Sequence, residues 1–517
     1  MDSQNFIITT AQMMALEAQV FAAGMPVAAL MEKAAMTLTN AILALEITPA
    51  VKTVGVLVGP GHNGGDALVV AREFALRGRE VWLYVPVEPS KPLTQNHLDY
   101  ADYLGLPRVE SVAGLADCDL IVDGLFGFGL TRPITGALAE AIATLNRMTQ
   151  TVISIDIPSG IDTDTGAVLG AAIRADYTFC LGLWKRAFFQ EQALPFLGQV
   201  ACLDLGFPEG AIATVLNNPP VHQRFTAAEF RAVLPLPRAV VTHKYQQGHA
   251  LLICGSQQYA GSAILTGLGA RASGVGMLTI AVPASLKPLV VAQLPEALVV
   301  GCPETPEGAI AALPLDLSRY DVIACGPGLT LGVGDILASV LAAPVPLVLD
   351  ADGLNLLGTG GQGLQDRPAP TILTPHVGEL RRLFPELDPS DRFVATLTAA
   401  VATGAIVLLK GARTAIAAPD GNFWVIPEST PGLARGGSGD VLTGLLAGLW
   451  AGSTAPGVDV AAAAAFWHAA AGQRAAASHT ELGVDPLRLV ATLGACLGEW
   501  MAVGAKNFSP PHYGRMD

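Results

Sequence analysis

Short apolar runs alternate with amphipathic stretches along the first part of the chain. The runs are rich in β-branched and aliphatic residues and predict buried strands at 53–58, 81–85, 119–122, 151–156 and 177–181. The stretches between them predict helices at 67–77 and 136–147, and two earlier helices at 10–23 and 26–45 would cover the sheet or a partner. Strands separated by helices require crossover connections, so this pattern predicts a parallel sheet with helices on both faces.

The pattern stops at 217–226, where two asparagines and two prolines occur without periodicity, and we place a domain boundary there. Strands are predicted again at 249–254, 277–282, 321–325, 345–350, 371–374 and 405–410. An alanine-rich helical region at 458–478 and a loose tail after Asn507 follow. The predicted fold class is therefore α/β, with two three-layer α/β/α domains at 1–222 and 223–517.

The net charge of −14 argues against a nucleic-acid-binding surface, which requires basic patches. Small anions remain possible ligands, because backbone amides at helix starts bind phosphate. The seven cysteines occur without a CxxC pair, which favours a reducing compartment and argues against zinc or disulfides. The opening residues do not resemble a signal peptide, so we expect a cytoplasmic protein. The uncharged stretch 441–458 is interrupted by glycine and proline, and we interpret it as a buried helix and not a membrane span.

The predicted strand at 53–58 leads directly into the sequence GPGHNGGD (59–66) and then into a helix. A glycine-rich turn at a helix start points amides outward and lets phosphate approach the backbone. The motif is neither GxGxxG nor GxxxxGK[ST], and a flexible strand–helix loop is the alternative interpretation. We therefore predict an anion site here without assigning it to either familiar class.

Three later stretches follow predicted strands: DGLFGFGLTRP (123–133), DIPSGID (156–162) and the segment containing Lys185. The carboxyl ends of parallel strands meet at the ligand-binding edge of such a sheet. Oxygen groups of Asn63, Asp123 and Ser159 would there converge on a monovalent or divalent cation. Asp156 and Lys185 would supply a carboxylate and an amine for proton transfer. Taken singly, the two aspartates are equally compatible with helix caps, and the lysine with a solvated surface charge.

GPGHNGGD, DGLFGFGLTRP and DIPSGIDTDTG together resemble the NAD(P)H-hydrate epimerase family, over about 10–207 and including the segment 24–32. The resemblance implies catalysis by Asp156 and Lys185, with Asp156 contacting the damaged ring, and a potassium (K+) site at Asn63, Asp123 and Ser159. His62 and Ala67 depart from the commoner asparagine and glycine, and neither change removes a proposed catalytic group. The implied binding residues for the hydrated nucleotide are His62, Asn63, Gly64, Gly65, Asp66, Gly127, Phe128, Gly129, Leu130, Thr131, Arg132 and Pro133.

The sequence ARGGSGD (434–440) stands immediately before a predicted helix in the second half. Its glycines free successive amides to form an anion hole, and Asp440 would accept a proton from a hydroxyl as a phosphoryl group moves to it. The alternative is a plain glycine turn with Asp440 as a helix cap. Companion motifs KGART (410–414), GPG (326–328), DADG (350–353) and TPHVGEL (374–380) each follow a predicted strand. Within the last, His376 is interpreted as a substrate contact, with a structural role as the alternative.

GGSGD and KGART resemble the ribokinase superfamily, and GPGL, LDADGLN and TPHVGEL narrow the resemblance to the ADP- or ATP-dependent NAD(P)H-hydrate dehydratases, over about 224–502. The implied reaction phosphorylates the ring hydroxyl, with Asp440 as base, and then expels phosphate. The implied substrate contacts are Ala263, Gly328, His376 and Asp440. The implied residues for ADP or ATP, with Mg2+, are Lys410, Gly411, Ala412, Arg413, Thr414 and Gly439.

Both halves thus point to a bifunctional repair enzyme for hydrated NADH and NADPH, in which epimerisation lets a stereospecific dehydratase clear both configurations. We expect a homo-oligomer with neither nucleic-acid nor membrane partners. Two alternatives remain open at this stage. One is a small-molecule kinase of the ribokinase type with an unrelated amino-terminal domain. The other is an amino-terminal module that binds proteins and has no activity.

Overall fold

The computed structural model describes residues 5–216 and 221–502. The chain divides into two compact units, Met1–Val221 and His222–Asp517. Part of the stretch at which we predict the domain boundary, 217–220, lies outside the described residues, as does the tail predicted after Asn507. The limits 1–222 and 223–517 stay predictions from the sequence.

The first unit consists of nine strands and seven α-helices among its described residues. The strands are β1 (Phe6–Ile8), β2 (Thr53–Val58), β3 (Glu80–Tyr84), β4 (Arg108–Val109), β5 (Leu120–Gly124), β6 (Thr151–Ile155), β7 (Tyr177–Leu181), β8 (Trp184–Lys185) and β9 (Gln199–Leu203). The helices are α1 (Thr10–Ala22), α2 (Val27–Leu43), α3 (His62–Leu76), α4 (Pro92–Tyr103), α5 (Gly136–Leu145), α6 (Leu194–Leu197) and α7 (Glu209–Leu216).

Seven of these strands form a parallel sheet in the order β4-β3-β2-β5-β6-β7-β9, and β1 pairs in parallel with β8. From β2 the chain builds outward to β3 and β4, and it then returns to place β5 on the other side of β2. The direction of winding therefore reverses between β2 and β5. In open parallel sheets, ligands bind at the carboxyl ends of the strands that flank such a switch point.

Alternate residues of β2 belong to two separate apolar clusters. Val56 packs in a cluster with Leu16 of α1, Leu38 of α2 and Leu68 of α3. Its neighbour Leu57 packs instead in the cluster that contains α5 and the segment before β5. Since successive strand side chains point to opposite faces, both faces of the sheet are covered by helices. The three-layer arrangement is confirmed, and the two opening helices cover the sheet.

The second unit consists of ten strands and ten α-helices among its described residues. The strands are β10 (His222–Arg224), β11 (His249–Ile253), β12 (Met277–Pro283), β13 (Leu298–Cys302), β14 (Val322–Cys325), β15 (Leu347–Leu349), β16 (Thr371–Leu373), β17 (Ile406–Leu409), β18 (Ala415–Ala417) and β19 (Phe423–Val425). The helices are α8 (Ala227–Val233), α9 (Ala260–Ala272), α10 (Lys287–Gln293), α11 (Gly334–Leu341), α12 (Asp352–Leu357), α13 (Val377–Leu383), α14 (Arg392–Thr403), α15 (Ser438–Gly452), α16 (Gly457–His479) and α17 (Pro486–Ala502).

The strands of the second unit follow the order β13-β12-β11-β14-β15-β16-β17-β18-β19-β10. Neighbours from β13 to β17 are parallel, whereas β18 is antiparallel to both of its neighbours, β17 and β19. The winding reverses between β11 and β14, so this sheet also has a switch point. Leu251 and Ile253 are buried as completely as Ala250 and Leu252, because helices cover both faces of β11. The predicted α/β class is therefore confirmed for both units.

The predicted start of the helix at 67 is wrong, because α3 begins at His62. Glycines 64 and 65 were interpreted as part of a turn, but they lie in the first turns of α3, where the packing leaves no room for a side chain. A Cβ on Gly65 would lie 2.7 Å from Met31 Cε. The stretch 441–458 falls largely within α15, most of whose residues are buried. None of the helices within residues 5–216 and 221–502 combines the length and apolar character needed to cross a membrane.

Candidate functional sites

The glycine-rich segment after β2 forms the start of α3, with Gly61 as its N-cap. A Cβ on Gly59 would lie 1.7 Å from the Leu125 carbonyl oxygen, and one on Gly64 would lie 1.9 Å from the Gly59 carbonyl oxygen. Both glycines are therefore required for the close approach of the loops after β2 and β5. The first-turn amides of a helix have no intrahelical partner, so this helix start at the switch point is an anion-binding arrangement.

Asp123, at the end of β5, is fully buried and accepts four hydrogen bonds. Its Oδ1 accepts from Ser159 Oγ (2.6 Å) and Leu125 N (3.2 Å), and its Oδ2 accepts from Ser154 Oγ (2.7 Å) and Ser159 N (2.9 Å). Burial raises the pKa of Asp123, and only hydrogen bonds oppose that effect. The Ser159 hydroxyl also accepts from Phe126 N at 2.8 Å, so it joins the loop after β5 to the loop after β6.

Asp156 follows β6 with a φ of +67°, a left-handed conformation that costs a non-glycine residue about 1–3 kcal/mol. Its Oδ1 accepts from Lys185 Nζ (2.6 Å) and Leu181 N (3.2 Å), and its Oδ2 accepts from Phe128 N (3.0 Å). Lys185 is completely buried and also donates to the Leu181 carbonyl oxygen at 2.6 Å. The alternative of a solvated surface lysine is therefore wrong.

The protonation of Lys185 is determined by its partner. Burial lowers the pKa of Lys185, but the charge and hydrogen bond of Asp156, together with Cys180 and Cys202, outweigh burial and raise the pKa above the ordinary lysine value. Lys185 thus stays an ammonium group at neutral pH. Its Nζ lies 5.6 Å from the centre of the Phe128 ring, so the charge faces an aromatic surface as well as a carboxylate.

A cavity of about 570 Å³ lies at this edge of the first sheet. Four of the predicted residues are buried and do not line it: Asp123, Ser159, Gly64 and Gly65. Thr131, Arg132 and Pro133 are exposed and do not line it either. The predicted residues that the structure brings together in its wall are His62, Asn63, Asp66, Gly127, Phe128, Gly129, Leu130, Asp156 and Lys185.

Sequence reasoning missed the cavity wall that α1 and α2 provide. The cavity is lined by Met13, Glu17 and Phe21 of α1, by Met31 of α2 and by Lys91. The available signal was the four-residue spacing of positions 13, 17 and 21, which places them on one face of a helix. Without the tertiary structure, nothing distinguishes that face from an ordinary core contact.

In the second unit, the loops after β11 and β14 meet at the switch point. The amide of Gly255 donates to the Pro327 carbonyl oxygen at 2.8 Å. Gly328 has a φ of +66°, and a Cβ there would lie 2.9 Å from Ser262 Cβ. Ala263 is completely buried, so its side chain is not exposed to a ligand. Gly328 therefore brings its loop against the start of α9, next to Ser262.

The GGSGD motif forms the start of α15, where Gly437 is the N-cap with a left-handed φ of +90°. A Cβ on Gly439 would lie 3.6 Å from Lys410 Nζ. Lys410 Nζ donates to Asp350 Oδ1 at 2.7 Å, and Thr443 Oγ1 donates to Asp350 Oδ2 at 2.6 Å. A buried ion pair thus joins the KGART loop, the loop after β15 and α15, and it leaves the first-turn amides of α15 beside a lysine.

Asp440 lies in the first turn of α15 with a perturbed pKa. Burial raises that pKa to about 6, Asp350 adds to the shift, and Ser262 and Lys410 oppose it. Burial acts on Asp350 in the same direction, but Lys410, Thr443 and Thr374 outweigh it and lower the pKa of Asp350. Two neighbouring carboxyl groups therefore differ in proton affinity, a pattern typical of acid–base sites.

Arg392 of α14 holds the KGART loop in place through hydrogen bonds to its backbone. It is buried and donates to the carbonyl oxygens of Leu409 (2.7 Å), Lys410 (3.0 Å) and Arg413 (2.9 Å). Gly411 and Ala412 of the same loop are exposed. Arg392 lies outside every glycine-rich motif, so the sequence alone does not indicate its role. Thr414 closes the loop, with its Oγ1 donating to the Gly411 carbonyl oxygen at 3.3 Å.

His376 caps α13, because its Nδ1 accepts from Gly378 N (2.9 Å) and Glu379 N (3.2 Å). The side chain is nevertheless 54% exposed. The amide of His376 donates to Glu379 Oε2, and the same oxygen lies 3.8 Å from Lys410 Nζ. Glu379 therefore links His376 to the ion pair of Lys410 and Asp350. Among residues 5–216 and 221–502, no three His, Cys, Asp or Glu side chains are grouped as metal ligands.

Family models match both units. Residues 27–187 match the model described as YjeF-related protein N-terminus, and residues 250–494 match the model described as NAD(P)H-hydrate dehydratase. A solved structure, the Bacillus subtilis ADP/ATP-dependent NAD(P)H-hydrate dehydratase co-crystallised with ATP/Mg2+, is 32% identical. It covers 54% of this chain and 98% of that chain, with a TM-score of 0.47.

Several relatives match over nearly the whole chain. The Bifunctional NAD(P)H-hydrate repair enzyme Nnr of Synechocystis sp. is 54% identical over 508 residues, which is 97% of both chains. The protein of the same name from Thermosynechococcus vestitus is 53% identical over 493 residues, 94% of this chain and 96% of that protein. The one from Moorella thermoacetica is 34% identical and covers 91% of this chain and 92% of that protein. This chain belongs to the family of bifunctional NAD(P)H-hydrate repair enzymes.

Proposed function

We propose that the first unit interconverts the R and S epimers of hydrated NADH and NADPH, and that the second unit dehydrates the S epimer with ADP or ATP. The observation that carries this proposal is the same in both units. Each places a glycine-rich helix start and an ion pair between a lysine and a buried carboxylate at the edge of its sheet where the parallel strands end. We infer the substrate from the family to which the chain belongs, and we assign one reaction to each of the two sites.

For epimerisation, Asp156 and Lys185 are the proposed catalytic pair. The ammonium group of Lys185 is 2.6 Å from Asp156 Oδ1, and both side chains line the cavity. The start of α3 is the proposed phosphate-binding element for the nucleotide, and Phe128 offers an aromatic surface to its ring. The exposed residues Thr131, Arg132 and Pro133 are proposed to contact the substrate only at the cavity mouth.

The buried Asp123 cluster fits a potassium ion. Asp123 and Ser159 offer oxygen atoms 2.6 Å apart, and oxygen is the ligand type that hard cations prefer. Burial raises the pKa of Asp123 and a nearby positive charge would counter it. Asn63, which lines the adjoining cavity, would offer its side-chain amide oxygen as a third ligand. A bound K+ would supply positive charge near the loops that hold the nucleotide.

For dehydration, Asp440 is the proposed base, and it accepts the proton of the ring hydroxyl as the γ- or β-phosphoryl group moves to that oxygen. The amides at the start of α15 and Lys410 stabilise the negative charge of the transferring group. The KGART loop and Gly439 hold the nucleotide, and Mg2+ bound with it would neutralise phosphate charge. Phosphate leaves more readily than hydroxide, so its departure restores the dihydropyridine ring.

The direct test incubates the purified chain with hydrated NADH and either ADP or ATP. We expect the reduced-nicotinamide absorbance to return, with one phosphate released for each ring repaired. A stable phosphorylated alcohol in place of NADH would contradict dehydration and indicate a small-molecule kinase. Size-exclusion chromatography with light scattering tests the homo-oligomer that we predict, and fractionation of the source cells tests its predicted cytoplasmic location.

The epimerase assignment is tested with Asp156→Ala. The variant removes the acceptor of Lys185 and of two backbone amides, so we expect interconversion of the hydrate epimers to fall at least about 10²-fold, the usual scale for a lost acid–base group. Chiral chromatography of each epimer follows the reaction. Dehydration of the pure S epimer by the same variant is the internal control, and an unchanged interconversion rate would refute the assignment.

A further inference from the structure

Glu17 places a carboxyl group in the epimerase cavity from a helix outside the glycine-rich loops. It belongs to α1, and it lines the cavity together with Met13 and Phe21, which lie four residues before and after it. Leu16, on the adjoining face of the same helix, packs in the core. The side chain therefore points from an apolar helix face into the cavity that also contains Asp156 and Lys185.

The helix that carries Glu17 is attached to the same framework as the catalytic pair. Strand β1, which leads into α1, pairs with β8, and Ile8 stands opposite Lys185 in that pairing. The amide of Thr10 donates to Asp164 Oδ1 at 2.8 Å, in the segment that follows Asp156. The N-terminus of α1 is further fixed by a capping box formed by Thr9 and Gln12. These three restraints give Glu17 a fixed position relative to Lys185.

The pKa of Glu17 is shifted into the neutral range, whereas that of Lys185 is raised above the ordinary lysine value. Burial raises the pKa of Glu17 to about 7, the charge of Asp156 adds to the shift, and Lys185 partly opposes it. The other titratable or charged groups that line the cavity are Asp66 and His62 of α3 and Lys91 before α4. Burial, with the charges of Asp156 and Glu17, raises the pKa of Asp66 well above its ordinary value. Glu17 thus exchanges its proton near neutral pH, whereas Lys185 is protonated before the reaction and can serve as the acid.

We propose that Glu17 is a further catalytic residue of the epimerase, and that its carboxylate removes the proton of the hydroxyl group on the damaged ring. This inference rests on the proposed function. The hydrated ring carbon bears both a hydroxyl group and the ring nitrogen, so it is a hemiaminal. A hemiaminal inverts by opening and closing, which needs one group to accept the hydroxyl proton and another to protonate the nitrogen.

The step balances without an oxidant or a further reactant. Glu17 accepts the hydroxyl proton, the O–H electron pair becomes the second bond of a C=O group, and the C–N bond breaks. Its electron pair goes to the ring nitrogen, which takes a proton from the Lys185 ammonium group while Asp156 holds that group in place. Rotation of the aldehyde and reversal of each transfer close the ring with the opposite configuration. Glu17 and Lys185 recover their starting charges.

The test compares the wild-type chain with Glu17→Gln, an isosteric variant that cannot accept the proton, and with Gln19→Ala as a control on the same helix. We expect kcat for epimerisation to fall at least about 10²-fold in Glu17→Gln. We expect Gln19→Ala, which does not line the cavity, to stay within about twofold of the wild type. Since Glu17 acts as a base, wild-type kcat should rise about tenfold between about pH 6 and about pH 8. That rise should be absent in Glu17→Gln.

A Glu17→Gln variant that keeps kcat within tenfold of the wild type, or keeps the rise with pH, would overturn the inference. A wild-type chain that does not interconvert the epimers would instead overturn the proposed function. If Glu17→Gln does not fold, Glu17→Asp decides, because it keeps the carboxyl group but withdraws it from the ring. We then expect at least a tenfold lower kcat with the pH dependence retained, and an unchanged kcat would refute the role.

Discussion

The position of Asp440 leads to a specific pH dependence of dehydration. Burial of the carboxyl group, with the charge of Asp350, holds its pKa at about 6 in spite of Ser262 and Lys410. A base functions only in its ionised form. Because the pKa is raised above the ordinary aspartate value, that form is lost as the pH falls through about 6. We therefore expect kcat for dehydration to fall on the acid side in this range.

The size of the effect follows from the ionised fraction. With the pKa at about 6, roughly nine tenths of Asp440 is ionised at about pH 7 and roughly one tenth at about pH 5. We thus expect kcat to fall about tenfold between these pH values. With the ordinary aspartate pKa of about 3.9, the fall would be less than about a tenth of the rate. The two cases differ by far more than the error of a rate measurement.

The assay follows the return of reduced-nicotinamide absorbance from the S hydrate at saturating nucleotide, with substrate alone as the blank at each pH. Asp440→Asn should lower kcat by about 10²–10⁴-fold at neutral pH and leave nucleotide binding nearly intact. Asp335→Asn is the matched control, because Asp335 also lies in the first turn of a helix of this unit but is exposed. A wild-type rate that does not change over this range, or an Asp440→Asn variant that keeps the acid limb, would refute the reasoning.

Three other predictions concern the supports of the two sites. Lys410→Met should destabilise the second unit by about 3 kcal/mol in chemical denaturation, because it leaves Asp350 buried without its partner, and Asp350→Asn in the same chain should recover part of the loss. Gly59→Ala should cost the first unit about 1–3 kcal/mol or more, since its Cβ would lie 1.7 Å from a backbone oxygen, whereas Gly210→Ala, with nothing within 4 Å, should be neutral in the same measurement. Ser159→Ala removes one proposed cation ligand, so the K+ concentration for half-maximal epimerase rate should rise severalfold; equal rates in K+ and Na+ for the wild type would contradict the cation site.

The sequence alone predicts the positions of most strands of the parallel sheets, and it predicts that the functional residues follow their carboxyl ends. The strands β2 and β7 have the predicted bounds, 53–58 and 177–181, because a short aliphatic run in a parallel sheet is buried on both faces. The three-residue strands β18 and β19 were missed. The equally short β15 and β16 were predicted, because they lie within the longer predicted runs 345–350 and 371–374. The pairing of β18 and β19 is decided by contacts with each other and with β17 and β10.

Some residues of the candidate sites were likewise predictable from the sequence, and others were not. Asp156, Lys185, Lys410 and Asp440 were found from sequence, because glycine motifs after strands mark where a parallel sheet exposes its carboxyl ends. The sequence did not distinguish a surface lysine from the fully buried Lys185, since burial depends on what packs over it. The substrate contact of His376 stays a prediction: the structure shows that its Nδ1 caps α13 while the side chain is half exposed.

Glu17 and Arg392 mark what only the tertiary structure decided. Neither belongs to a motif, and the partners of each are remote in sequence: Glu17 lines the same cavity as Lys185, and Arg392 donates to the backbone of Lys410. Local sequence determines which segments become strands and where glycine allows close backbone approach, because those depend on neighbouring residues. Which side chains share a cavity, and hence their proton affinities, depends on burial and on charges brought together by folding, and no local pattern records them.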